Sequence, residues 1–320
     1  MARAKLIAEL CQNHNGDKTL LQEMIHAAAE NGADIIKIQS IRSKELTHRT
    51  KFDNGLIENG VTQIIKRPYK SEYERLKKLD LPIETEAWFI SECIKFGVSP
   101  MTTVFTRAAL EEIKDLGYEA IKIASYDCSS FQLLKEVKEY FSKIYVSTGA
   151  TYDHEIEAAA ETLKGSAFEF LHCVTIYPTP LNELHLSRLN FLRRFSPQVG
   201  YSDHSLVRET GTIASRIALG LGASCIERHF TILDDDKTKD GPVSITPKGL
   251  KELSDFNSLE RKEQMKIINK EMPDWQNIVL GDSTRPLTHN EKLNRDYYRG
   301  RFASIVDGEP VYNWEINPIK

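Results

Sequence analysis

Two histidines close strand-like runs. His204 ends Gly200-Tyr201-Ser202-Asp203-His204, and His229 lies in Ile226-Glu227-Arg228-His229-Phe230. If these runs are neighbouring strands of a parallel barrel, the two imidazoles meet at its carboxyl end, where metals and active sites sit. A pair of imidazoles suits a divalent ion such as Mn²⁺, Zn²⁺ or Fe²⁺. Two protein ligands leave coordination positions for water and substrate, as a Lewis-acid site needs. Taken singly, either histidine reads as a core or supporting residue rather than a ligand; the pair on adjacent strand ends is what brings ligation level with that reading. Lys37 and Lys122 interrupt the apolar stretches Ile35-Ile36-Lys37-Ile38 and Ile121-Lys122-Ile123. An ammonium buried without a partner is costly, so each is expected to face a polar barrel mouth beside an anion. A structural salt bridge is the plainer alternative. Together with Ser125, Ser147 and Ser202, the lysines offer point charges and short hydroxyl donors for a phosphate or carboxylate. Glu9, Gln39, Thr103, Asp127, Thr175 and Tyr177 fall at other strand ends. His172 lies inside a strand and reads as packed, while His14 is either a ligand or a loop anchor.

The elements that would carry these residues alternate regularly. Strands are expected at 5–10, 33–39, 99–104, 120–124, 143–147, 167–174, 198–201 and 223–230. Helical periodicity follows each, at 19–31, 84–96, 107–116, 130–140, 153–163, 184–195, 208–221 and 248–267. Eight such units favour an α/β fold of the closed (β/α)8 TIM-barrel type over a doubly wound sheet. Residues 40–70, which carry His48, Arg49 and Asn54, show little periodicity and read as a long functional connection with a helix after it at 71–79. The expected organisation is a barrel over 1–270 and a carboxyl-terminal extension over 271–320. That extension, with one β-like stretch at 302–306, is too short for a core of its own.

Composition narrows the class. The chain has 320 residues, 41% hydrophobic and 28% charged, the balance of a globular protein with a large core. A net charge of −4 supplies no basic footprint for nucleic acid. The five cysteines are scattered and form no C-x-x-C pair, which argues against a thiolate zinc site or a disulfide framework. No apolar run reaches the length of a membrane span, and the amino terminus lacks a signal peptide's apolar run. A cytoplasmic enzyme is the expectation.

Several motifs resemble the sialic acid synthase family. They are Ile7-Ala8-Glu9 with Asn13-His14-Asn15-Gly16, Lys37-Ile38-Gln39, Lys122-Ile123-Ala124-Ser125, Ser147-Thr148-Gly149, and Leu171-His172-Cys173 with Tyr177-Pro178-Thr179-Pro180. The two histidine stretches complete the set, and all run in family order. The resemblance implies a TIM barrel that condenses phosphoenolpyruvate with an N-acetylmannosamine-type aldose. The products would be a nine-carbon 2-keto-3-deoxy acid and phosphate. It implies Mn²⁺ or Mg²⁺ on His204 and His229. Lys37, Thr103, Lys122, Ser125, Ser147 and Ser202 would bind phosphoenolpyruvate. Glu9 and Tyr177 would face the sugar, with Glu9 as acid/base, while Gln39, Asp127 and Thr175 would line the substrate site.

Departures from the family pattern bear on the acceptor. The family commonly has asparagine at Thr175, glutamate at Asp127, and aspartate where this chain has Val243 after Gly241-Pro242. Residues 299–310 resemble the linker to an antifreeze-like domain, expected to be missing here, that lends an arginine to the site. Arg42, Arg208 or Arg301 could supply that charge, or a separate antifreeze-like subunit could; a homodimer is the other assembly left open. Two further readings stand beside the main one: the same chemistry on a non-acetylated or phosphorylated aldose, and a non-catalytic phosphoenolpyruvate-binding subunit.

Overall fold

The computed structural model describes residues 3–319. Eight parallel strands form a closed barrel in chain order. They are β1 (Lys5–Glu9), β2 (Ile35–Ser40), β3 (Ser99–Val104), β4 (Ala120–Ile123), β5 (Lys143–Ser147), β6 (Phe168–His172), β7 (Val199–Asp203) and β8 (Cys225–His229). β8 closes on β1, pairing Lys5 with Cys225 and Glu9 with His229. The outer helices are α1 (Lys18–Glu30), α2 (Ile83–Lys95), α3 (Arg107–Ile113), α4 (Phe131–Tyr140), α5 (Asp153–Thr162), α6 (Arg188–Leu192), α7 (Ile213–Gly220) and α8 (Pro247–Asn257).

Alternation along each strand sorts side chains between two cores. On β2, Ile36 and Ile38 point outward into the main cluster, where Leu21, Met24, Ile25 and Ala28 of α1 meet them at helical spacing. Each such apolar side chain, fully buried, contributes roughly 1.5–3 kcal/mol. Asp17 caps α1, its carboxylate accepting from the N–H groups of Thr19 and Leu20 at 2.7 and 3.2 Å. Gly32, at φ +95°, turns the chain out of the helix. The inward positions build a second, small apolar cluster inside the barrel: Ile7, Ile35, Met101, Tyr145, Leu171 and Cys225. One residue pair further along each strand, the inward positions become polar.

The largest differences from the sequence reading lie in three segments, while the helices expected at 184–195 and 208–221 are shortened to 188–192 and broken at Gly211. Residues 40–70 hold an exposed antiparallel hairpin, Leu56–Glu58 with Val61–Ile64, whose strands are too short to show a period. The helix expected at 248–267 is two helices, α8 and α9 (Arg261–Glu271). A straight helix of that length would run about 30 Å and overshoot the barrel. The break at Ser258–Glu260 instead lets α9 fold back against α7. The carboxyl-terminal segment also contains α10 (His289–Tyr298), opened by a capping box between Thr288 and Glu291. A hairpin follows, Ser304–Val306 with Glu309–Val311.

That segment is stitched across the barrel mouth. Arg107 donates to the carbonyls of Glu315 and Asn317 at 3.0 and 2.8 Å, and Asn313 Nδ2 to that of Phe105 at 2.7 Å. Trp275 and Val279 join the main hydrophobic cluster. Among the described residues, no helix is long and apolar enough to cross a membrane.

Candidate active site

The polar inward layer floors a cavity of about 320 Å³ at the carboxyl end of the barrel. Strand register sets Glu9 between His229 on β8 and Lys37 on β2. Glu9 Oε1 accepts from the N–H of Cys11 at 2.9 Å. Its Oε2 touches the Lys37 ammonium and accepts from Gln39 Nε2 at 3.3 Å. Lys37 also donates to Thr103 Oγ1 at 2.9 Å. On the opposite side, Lys122 donates to Ser147 Oγ at 2.7 Å and lies 3.6 Å from Glu227 Oε2. Ser202 donates to Glu227 Oε1 at 3.1 Å, and Ser125 Oγ accepts from the N–H of Gly149 at 3.1 Å.

Lys37, Lys122, Glu9 and Glu227 are all buried and balance in charge, as buried ions must. Burial pulls Lys37 down to about 7; the Glu227 carboxylate opposes this and Lys122 adds to it. Burial pushes Glu227 up, but Lys122 and Lys37 outweigh that and hold it below the ordinary carboxylate value.

The His204 and His229 rings stand 5.4 Å apart, centroid to centroid, on the cavity wall. Nδ1 of His204 is 3.7 Å from Cys173 Sγ, and Tyr177 packs edge-on against the ring at 4.2 Å. Burial, then the fields of His229, Arg228 and both lysines, hold His204 well below its ordinary value. Burial lowers His229 as well, against the field of Asp240. Both rings are therefore neutral, the ligating form of imidazole. Nδ1 of His229 is buried without a hydrogen-bond partner. Two neutral rings facing one cavity, one with an orphaned nitrogen, fit a divalent ion. Among the described residues, no three His, Cys, Asp or Glu side chains cluster into a closed metal cage. Such an ion would therefore keep positions for water and substrate.

Residues 24–266 match the NeuB family. The chain belongs to this family. It is 32% identical to the N,N'-diacetyllegionaminic acid synthase of Campylobacter jejuni, over 99% of this chain and 88% of that one. It is 32% identical to the enzyme of the same name from Legionella pneumophila, over 94% and 83%. Its fold superimposes on the N-acetylneuraminic acid (sialic acid) synthetase of Leptospira borgpetersenii, solved with citrate, with a TM-score of 0.69. That pair is 27% identical, with 92% of this chain and 91% of the other covered.

Within this NeuB family barrel, Glu9, Lys37, Gln39, Thr103, Lys122, Ser125, Ser147, Tyr177, Ser202, His204 and His229 all line the one cavity. Asp127 and Thr175 do not. The helical turn Ser125–Asp127 breaks the strand alternation and sends Asp127 outward, where it accepts from Ser130 Oγ at 2.8 Å and Asn313 Nδ2 at 2.9 Å. Thr175 is buried beside the site, its carbonyl accepting from Asn294 Nδ2 at 2.7 Å. Asn294, from α10, does reach the lining. Val243 is buried off the cavity, and the carboxylate on the lining there is Asp240. Of the three candidate arginines, Arg42 is committed to Glu86 at 2.8 Å and Glu112 at 2.6 Å, and Arg208 is exposed off the cavity. Arg301 lines it.

Glu227 has no role in the sequence reading, although the signal was present. It lies two residues before His229, so strand alternation points both inward. By the same rule Arg228 points outward, where it pairs with Asp203 and donates to the Ser205 carbonyl at 2.9 Å. His172 stays in the core, its Nε2 2.6 Å from the Leu184 carbonyl, and His14 Nδ1 accepts from Gly16 N–H at 3.0 Å. Arg67, Lys239 and Tyr298 reach the cavity from loops and α10, and only the tertiary fold brings them there.

Proposed function

We propose that the chain condenses phosphoenolpyruvate with the aldehyde of an aminosugar-derived aldose, giving a nine-carbon 2-keto-3-deoxy acid and phosphate. The observation that carries this reading is the buried floor, on a NeuB family barrel, where two lysines, three serines and two histidines share one cavity with two carboxylates, Glu9 and Glu227. In this reading C3 of the enol attacks the aldehyde carbon, and positive charge develops at C2. Water adds at C2, and the C2–O bond to phosphate breaks. Of the water's two protons, one ends on the new hydroxyl and one on the departing phosphate. Lys122, Ser147 and Ser125, all on the lining, would hold the phosphate through its loss. Glu9, held by Lys37, Gln39 and the Cys11 N–H, would take the water's proton or supply the hydroxyl's. An Mn²⁺ or Mg²⁺ ion on His204 and His229 would polarise the aldehyde and offset the charge that phosphoenolpyruvate brings to a balanced floor.

The test is phosphate release from phosphoenolpyruvate with MnCl₂ and a panel of N-acetylated hexosamines. Lys122→Met should lower kcat/KM roughly 100- to 1,000-fold, the scale of losing one charge-stabilising group. Phosphoenolpyruvate labelled with ¹⁸O at its bridging position should deliver the label to phosphate. Absence of phosphate release with every acceptor would end this reading.

A further inference from the structure

We propose that Cys173 is a positioning residue: its sulfur accepts from the Nδ1–H of His204 and holds that ring in the tautomer whose Nε2 is bare toward the cavity. This rests on the reading of His204 and His229 as ligands of a divalent ion. The two nitrogens of His204 have unlike surroundings. Nδ1 lies 3.7 Å from Cys173 Sγ, within reach of a hydrogen bond to sulfur. Nε2 bonds to nothing among the described residues and is not sealed from the cavity that the ring lines. His229 also lines the cavity but lacks such a partner, its Nδ1 being buried and unpaired. An ion in the cavity would therefore meet the Nε2 side of His204, with an acceptor already in place behind the ring.

The direction of this bond follows from what each group loses when unpaired. An imidazole that ligates through Nε2 must carry its proton on Nδ1. A buried N–H without an acceptor is costly, whereas a thiol is a weak donor whose S–H can go unused. Cys173 is 4% exposed, and burial pushes its thiol up to about 11, so the acceptor is a neutral sulfur. The hydroxyls of Ser125 and Tyr177 also act on that sulfur as donors, against the effect of burial. Donors from three directions mark the sulfur as an acceptor and not merely as packing. It also joins His204 to Ser125, which lines the same cavity. Cys173 itself stays off the ion: among the described residues, no three His, Cys, Asp or Glu side chains cluster around one point. A carboxylate behind a ligating histidine raises the ring's basicity. A neutral sulfur fixes the tautomer without that charge, which leaves an ion on Nε2 the stronger Lewis acid.

The experiment compares wild type with Cys173→Ala and Cys173→Ser, whose new side chains are nearly equal in volume but differ in having an acceptor. Mn²⁺ binding, read by electron paramagnetic resonance, should weaken roughly 10- to 100-fold in Cys173→Ala, the scale of losing a group that orients a ligand. Cys173→Ser should recover part of that loss. Long-range ¹H–¹⁵N spectra of the metal-free protein, with His204→Asn to identify the ring, should show the Nδ1–H tautomer in wild type. Cys173→Ala should shift the ring toward Nε2–H. Wild type loaded with Co²⁺ should show no sulfur-to-cobalt charge-transfer band. An Nε2–H ring in wild type would overturn the proposal, as would unchanged Mn²⁺ affinity in Cys173→Ala or a charge-transfer band that made Cys173 a ligand. If wild type binds no Mn²⁺, the metal reading fails separately, and the tautomer spectra alone then decide the role of Cys173.

Discussion

Glu72 shows how one side chain at the rim couples charge to stability. Burial pushes its carboxyl up, but Arg75 and Arg301 outweigh burial and hold it at about 2, against an ordinary value of 4.5. A depressed carboxyl contributes stability above its unfolded value and loses it as pH falls through the folded one. Wild type should therefore exceed Glu72→Gln by up to about 3 kcal/mol at pH 7, taking about 1.4 kcal/mol per pKa unit and allowing for solvent screening at this partly exposed rim. The gap should close between pH 4.5 and 2. Urea titrations of both proteins across that range check this, and a pH-independent gap would contradict the ion-pair account. At this scale much of the site was legible beforehand. Lys37 and Lys122 stood out because a charge inside an apolar strand needs a partner. That Glu9 and Glu227 are those partners was not legible, because each sits on a different strand from the lysine it meets.

Between elements, one tight join at the site is the turn after β5. A Cβ on Gly149 would stand 2.5 Å from Thr175 Cγ2, 3.0 Å from Ser125 Oγ and 3.1 Å from the Cys173 carbonyl. Its N–H donates to Ser125 Oγ, so the missing side chain lets the loops after β4, β5 and β6 close on one another. Gly149→Ala should cost roughly 1–3 kcal/mol by overpacking and should also raise the KM for phosphoenolpyruvate as Ser125 is displaced. Denaturant unfolding together with steady-state kinetics would check both; a stable variant with normal KM would show that the loops yield. The elements themselves were largely readable, since α1 and β2 carry clean periods and caps. The 56–64 hairpin was not, because its strands span too few residues for a period to register. The helix α10 was missed although Thr288 and Glu291 spell a capping box, its mean polarity masking an amphipathic face.

Across the whole molecule, the site draws on seven strands and the loop after β6, so only the closed barrel can bind. Phosphoenolpyruvate at about 100 times its Kd should then add about 2.7 kcal/mol to stability. For a chain of this size that raises Tm by roughly 4–6 °C. Thermal scans with and without the ligand test this, and no shift would mean that the floor does not hold it.

The sequence alone determined the barrel and most of its polar floor, Glu227 excepted. Both follow from short-range rules: period-2 alternation chooses which strand residues face inward, and strand order makes β7 and β8 neighbours. Only the tertiary structure decided the rim. Arg67, Lys239, Asp240, Asn294 and Arg301 lie far apart in the chain, on loops and one helix whose placement no local period encodes. They meet because the carboxyl-terminal segment is bonded across the barrel mouth by long-range contacts such as those of Arg107 and Asn313. The same physics moved Asp127 off the site and put Asp240 where Val243 had implied a loss.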